Sequence, residues 1–261
     1  MTVKKNALLL LLTLSISLLA ACGSAAGGTA AGEPTPVPAE STPTQTAPVD
    51  EPPWFATFRV VDHQDGGGVL LAENGGGAGA VYTLGTENLE PDAPIEDGQL
   101  INVYFECILE SYPAQFGGIS KVEHTGTEID DRCGLYLQVL EDLWKVDPGL
   151  NAGITQLGVD LSGVTDLSEA EKSAVAWRFG ELRGIIPLEG TWEELADGGY
   201  IDRENLYWEK GCLFTLSGSA DGEFEAQKWA SGTGAYFFSD CTARMAPDGS
   251  WTYQIGAEAI S

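Results

Sequence analysis

The sequence predicts an α+β protein: a small antiparallel β-barrel, then a second domain of helices followed by an antiparallel sheet. Three observations carry this expectation. Apolar residues alternate at period two in five short runs within residues 54–126, with Gly- and Asp-rich turns between them. Three helix-start signals follow between residues 130 and 194, and four further alternating runs close the chain. Helices followed by strands that can pair with their sequence neighbours are the pattern of helices packed on one face of a curved sheet.

Before these two domains the chain has a different grammar. Lys4 and Lys5 precede an apolar run over 7–21 that is broken only by Thr13, Ser15 and Ser17. A run of that length falls short of the ~30 Å hydrocarbon layer of a bilayer and has the arrangement of a secretory signal. It ends on Leu19-Ala20-Ala21-Cys22, which resembles a bacterial lipobox. The resemblance implies that 1–21 is a lipoprotein signal peptide, removed after a diacylglycerol is attached to Cys22. The mature chain is then lipid-anchored on the extracytoplasmic face of the cell membrane, and two or more acyl chains make such anchoring stable. Residues 22–53 form the linker, first Gly/Ala/Ser-rich, then Pro/Thr/Glu-rich as in Glu33-Pro34-Thr35-Pro36-Val37-Pro38. That composition buries no apolar area and reads as a disordered or polyproline-like spacer, about 30 Å across as a coil.

Charge narrows the partners. The chain carries 39 acidic and 13 basic residues, a net charge of −26. No segment is basic: residues 23–53, 54–126 and 127–261 carry −4, −9 and −15. Phosphate backbones need cations to neutralise them, so nucleic acid is excluded as a partner, and an anionic membrane surface repels the body. The lipid on Cys22 is the membrane attachment that remains.

In the first domain, strands are expected at 55–61, 69–72, 80–84, 100–110 and 119–124. The fourth has the clearest alternation, with Ile101, Val103, Phe105, Cys107 and Leu109 on one face. Gly75 to Gly79 reads as a mobile hairpin tip, since no Lys-Ser/Thr follows it as a phosphate loop requires. The residues Asp97-Gly98, Val103-Tyr104 and Glu110-Ser111-Tyr112-Pro113-Ala114-Gln115 resemble small OB-like barrels of Gram-positive lipoproteins. The resemblance implies an OB-like fold and an envelope location, and carries no chemistry with it.

In the second domain, residues 127–261, Asp130 or Asp131 caps a helix to Lys145, with Cys133, Leu137, Leu140 and Trp144 on one stripe and Asp147-Pro148-Gly149 as its stop. Ser168-x-x-Glu171 is a capping box for a second helix that buries Val175, Phe179 and Leu182. Thr191-x-x-Glu194 is another, for a short helix ending at Gly198-Gly199. Strands are expected at 206–216, 223–230, 234–243 and 251–258. The closing residues Lys228-Trp229, Gly234-Ala235-Tyr236-Phe237-Phe238 and Asp248-Gly249-Ser250-Trp251-x-Tyr253 resemble the end of cystatin-like domains. That resemblance implies a pocket between sheet and helix, for which Trp144, Trp177, Trp229, Tyr236 and Phe238 are the candidate lining; the alternative is that these aromatics fill the core.

An exported chain can keep disulfides, and four cysteines besides Cys22 allow three pairings. Cys212 and Cys241 lie centrally in two strands of one expected sheet and are expected to pair; Cys107 and Cys133 continue apolar faces and read as buried thiols. The histidines, His63 and His124, sit in no zinc-ligand spacing, and no nucleophile elbow is present. Glu141-Asp142 and Glu193-Glu194 are helical neighbours that do not share a face, and Asp62 with Asp65 lacks the remainder of a calcium loop. No catalytic residue, metal or cofactor is expected. The function expected is a non-enzymatic binding or interaction module of the cell envelope, partnered by an envelope protein or a small ligand. The alternatives are a small-ligand receptor using the C-terminal pocket and a wall-directed hydrolase, whose two carboxylates must face each other across a cleft.

Overall fold

A computed structural model describes residues 54–89 and 94–261. The signal segment, Cys22 and the linker lie outside the described residues. The described residues belong to one compact unit.

Among the described residues seven strands come first: β1 (Trp54–Gln64), β2 (Gly68–Glu73), β3 (Val81–Gly85), β4 (Gln99–Phe105), β5 (Cys107–Leu109), β6 (Ala114–Gly117) and β7 (Lys121–Ile129). They form one sheet in the order β5-β6-β3-β2-β1-β4-β7. This corrects the barrel expectation: among the described residues the sheet is open, with β5 and β7 as its two edges and no ladder joining them. Period two reports extended backbone with one buried face, and it carries no information on closure. The expected strand over 100–110 also breaks. At Glu106 the main-chain N–H turns to Gly117 O (3.0 Å), and the chain leaves β4 to pair with β6. Cys107 and Leu109, expected on the buried face, are exposed in consequence.

One side of this sheet is filled by its own residues, with Phe58, Tyr82 and Phe116 in mutual ring contact and Phe105 against Phe116. The other side presents Val61, Leu70, Ala72 and Val81 to the elements that follow.

Those elements are α1 (Arg132–Lys145), β8 (Gln156–Val164), α2 (Glu169–Glu181), β9 (Pro187–Glu189), α3 (Trp192–Asp197), β10 (Gly211–Gly218), β11 (Glu223–Ser231), β12 (Gly234–Met245), β13 (Trp251–Gln254) and β14 (Ala257–Ile260). The three helix starts fall where their capping residues place them. The Asp131 carboxylate accepts from Gly134 N–H, and Ser168/Glu171 and Thr191/Glu194 each close a complete capping box. Leu182, expected on the buried side of α2, lies past its end and is exposed. Two of these strands have no counterpart in the sequence reading, just as β6 has none in the first sheet. β8 and β9 lie between helices and run parallel to each other, and β8 runs parallel to β10. The second sheet is therefore mixed, in the order β13-β12-β11-β10-β8-β9, with β14 also on β12.

Helices α1 and α2 are the middle layer. Their apolar residues Leu140, Leu143, Val175 and Phe179 share one core with Val61, Leu70, Ala72 and Val81 of the first sheet and with Val159, Phe214 and Phe238 of the second. The segments expected as separate domains thus have a common interior.

Polar contacts sew the first sheet to the same layer. Arg178 on α2 pairs with Asp62 and, at 2.9 Å, with Glu181, while Arg59 Nε meets Glu171 at 3.2 Å. Gly79 N–H donates to Ser173 Oγ (3.0 Å), and that hydroxyl donates to Glu189 (2.8 Å). The glycine-rich loop is accordingly docked on α2 rather than a free hairpin tip.

The C-terminal end of α1 rests on Lys228 of β11, which is fully buried. Its Nζ donates to the carbonyls of Trp144 (3.4 Å), Val146 and Asp147 (3.0 Å) and to Asn151 Oδ1 (2.7 Å). An ammonium here satisfies helix-end carbonyls that have no partner of their own and suits the negative end of the helix dipole. Burial pulls the Lys228 pKa down from its ordinary value, with the Cys212 and Asp147 charges opposing.

The Cys212–Cys241 pairing does not form; both thiols are free and buried. Cys212 is on β10 and Cys241 on β12, with β11 between them. Two strand spacings are about 9.6 Å, beyond the ~7 Å Cα reach of a disulfide. Burial pushes the Cys212 thiol up to about 12 and raises Cys133 and Cys241 as well. Cys107 is the exposed one. Of these four thiols, a maleimide under native, non-reducing conditions should therefore modify Cys107 alone, and all four should react in denaturant without a reductant. Intact mass reads both states, and fewer than four additions on unfolding would contradict free thiols.

Candidate functional site

The five aromatics expected around a sheet–helix pocket are scattered. Trp144 is packed in the shared core, stacked on Phe214 (5.7 Å between centroids) with the Arg183 guanidinium over its ring. Trp177 faces the first sheet's Tyr112 edge-on at 5.1 Å. Trp229 meets Trp192 in a small separate cluster with Trp208 and Leu213 on the far side of the second sheet. Tyr236 and Phe238 touch at 6.0 Å. The space between helices and sheet is occupied by side chains, so the core-filling alternative describes this region.

Beyond the Trp208 cluster, along the far half of β10 and over β11 and β12, the opposite face of the second sheet is open. Strand alternation sends Phe214, Leu216, Phe224, Ala226 and Lys228 toward the helices, and leaves Thr215, Ser217, Glu225, Gln227 and Ser239 facing out. Two depressions lie here, of about 480 and 170 Å³, sharing Ser217 and Glu225 as common wall. The larger is bounded by the ends of β8 and β10, the start of β11 and the middle of β12, with Glu223, Glu225 and Asp240 as its ionisable groups besides Cys241. The smaller continues along Thr215, Gln227, Phe237 and Ser239.

Asp240 owes its place to the backbone. β12 pairs with β14 over Tyr236–Ser239 and with β13 over Thr242–Met245. Asp240 is the step between these ladders and takes a left-handed conformation, φ 51°, which Asp tolerates better than most residues. The step holds its carboxylate at the rim of the groove. Cys241 beside it is buried, its thiol raised first by desolvation and then by the charges of Glu225, Asp240 and Glu258, so it is a poor nucleophile.

Most of the acidic groups singled out in the sequence have partners in the body. Glu141 pairs with Arg183 (2.6 Å), and Asp142 accepts from Tyr253 (2.7 Å) and Lys145 (3.0 Å). Glu194 closes the α3 capping box, with Glu193 exposed beside it. Asp62 pairs with Arg178. His63 Nδ1 lies 2.7 Å from Asp97 on the exposed seam between the first sheet and α1, whereas His124 is exposed on β7. Among the described residues no group of three or more His, Cys, Asp or Glu side chains could hold a metal ion.

The same seam raises the affinity of one carboxyl for a proton. Burial pushes the Asp131 carboxyl up to about 6, with Asp97, Asp62 and Asp130 adding repulsion that the Gly134 N–H bond only partly offsets. A carboxyl whose folded pKa lies above its unfolded value near 3.8 binds extra proton in the native state. Its contribution therefore favours folding below about pH 4 and is lost as pH rises through about 6. Asp131→Asn, which keeps a capping side chain, should raise the melting temperature at pH 7.5 and raise it clearly less at pH 4.5. An equal shift at both values would contradict the assignment.

Comparison with family models, with curated proteins and with solved structures finds no match to this chain. The solvent-facing groove was not foreseen from the sequence, although Glu223-Phe224-Glu225-Ala226-Gln227 alternates and so marks a strand with one polar, outward face.

Proposed function

We propose that this protein is a lipid-anchored, non-enzymatic binding module of the extracytoplasmic cell envelope, with the outer face of its second sheet as the binding surface. The observation that carries the choice of surface is the connected groove at Ser217 and Glu225, formed where no other element of the body covers the sheet. What supports the binding reading is a lining that, beside its carboxylates, offers neutral hydroxyls and an amide, with a thiol whose ionisation is suppressed by burial. The anchor rests on Leu19-Ala20-Ala21-Cys22 and the spacer that follows.

Two measurements test the proposal. Cells fed an alkyne fatty acid should label the protein, and Cys22→Ala should abolish both the label and recovery in the membrane fraction; an unchanged label sinks the anchor. Cross-linking on intact cells from a photoreactive group at position 227 should capture an envelope component. Capture equal to that from a group on the first sheet would sink the binding surface.

A second reading, a receptor for a small ligand, is favoured by the 480 Å³ of the larger depression, within the ~300–1,000 Å³ range of ligand sites. A thermal shift with a low-molecular-weight compound, lost on altering Glu225, would establish it instead.

A further inference from the structure

Building on that reading of the groove, we propose that its occupant is a basic peptide segment, an extended stretch of a partner protein that presents lysine or arginine side chains. The lining supplies the first argument. Glu223, Glu225 and Asp240 edge the larger depression, and neither depression has Lys, Arg or His in its wall. Where the wall is not acidic it offers Thr215, Ser217, Gln227 and Ser239, groups that hydrogen-bond a main chain without imposing a sign of charge.

The second argument is where the protein's own cations are. Arg59, Lys121, Arg132, Lys145, Lys172, Arg178, Arg183 and Arg203 are each ion-paired with a carboxylate elsewhere, while Lys210, just before β10, and Arg244, two residues past Thr242 on β12, are exposed outside the groove wall. Lys228 points away from the groove into the helix layer. The three groove carboxylates are in none of these pairs, so their charge faces outward. The surplus of acids over the body as a whole adds a field that draws cations toward it and repels phosphate-bearing or anionic polymers.

Shape gives the third. From Glu223 to Gln227 the groove follows β11 over five residues, four steps that span about 13 Å at ~3.3 Å each. That is room for an extended stretch of four or five residues. Successive side chains of such a strand alternate, so cations at every second position fall on one side, toward Glu223 and Glu225, which are themselves two residues apart on one face.

The test uses the purified full chain and a fluorescent hexapeptide of alternating lysine and alanine, read by anisotropy. Binding is expected, weakening at least tenfold between 50 and 300 mM salt. The triple variant E223Q/E225Q/D240N should weaken it at least tenfold. The control E110Q/E193Q/E209Q removes the same charge from exposed positions elsewhere and should change affinity less than twofold. Circular dichroism and melting temperature verify that both variants fold; Asn at position 240 keeps a residue that accepts the left-handed backbone. Equal weakening by the two triple variants would overturn the proposal, because the net field and not the groove would then bind the peptide. So would the absence of binding, or salt-independent binding of a neutral oligosaccharide at the same groove. Fatty-acid labelling at Cys22 and capture from position 227 do not depend on the hexapeptide, so success there with failure here sinks the ligand class alone.

Discussion

Lys228→Met should cost about 4 kcal/mol of folding stability, since a buried charged donor is removed and its acceptors are left without partners. The methionine fills a similar volume, so the loss isolates the polar role. Three carbonyls at the end of α1 and the Asn151 side chain converge on this one ammonium, and no water reaches a side chain that is fully buried. At ~2–4 °C per kcal/mol for a body of this size, the melting temperature should fall by roughly 12 °C. Chemical denaturation gives the free energy directly. A loss under about 1 kcal/mol would mean that the helix end finds other donors and that this ammonium does not hold it.

The second large effect is expected at Arg178→Met, about 3 kcal/mol. The guanidinium is the nearly buried partner of Asp62 on the first sheet, and it also reaches Glu181 and the His63 carbonyl (3.4 Å). Asp62 is already raised by desolvation, which the arginine partly offsets, and Asp97 pushes in the same direction as burial. Without the arginine the carboxyl rises further above its unfolded value, so the native state gains a proton that the unfolded chain lacks. The variant should therefore be more impaired at pH 8 than at pH 5. Adding Asp62→Asn should recover most of the loss, and the double-mutant cycle measures the coupling. Additive effects of the two changes would show that the pair does not join sheet to helix.

What the sequence discloses follows from how local each signal is. Caps are local: Asp131, Ser168 and Thr191 each act within three residues, and the helix starts are where those residues place them. Alternation is local too, which is why most strands of both sheets could be read. β8 was missed although it alternates, with Leu157, Val159 and Leu161 toward the helices and Gly158, Asp160 and Ser162 on the other face, where Gly158 lies under Trp208, whose ring would sit 2.8 Å from an added Cβ. A short run interrupted by glycine and set between two helix signals gives no local sign that it enters the later sheet. Strand order is not local at all. The Cys212–Cys241 expectation failed because nothing near either cysteine says that β11 runs between them. The groove was missed for the related reason that its carboxylates are brought together by register: Glu225 lies opposite Ser217, and Glu223 opposite Thr242.

The position of β1 has a mechanical consequence. A pull applied on the N-terminal side of Trp54, as by a membrane tether, enters the body at the first residue of a strand that is central to its sheet. β1 is laddered to β4 from Trp54 to Arg59 and to β2 from Phe58 to Gln64, and its far half is riveted to α2 through Asp62 and Arg178. Load arriving there is shared among two ladders and an ion pair instead of peeling one edge bond at a time. A pull on that end therefore meets both ladders and the ion pair together.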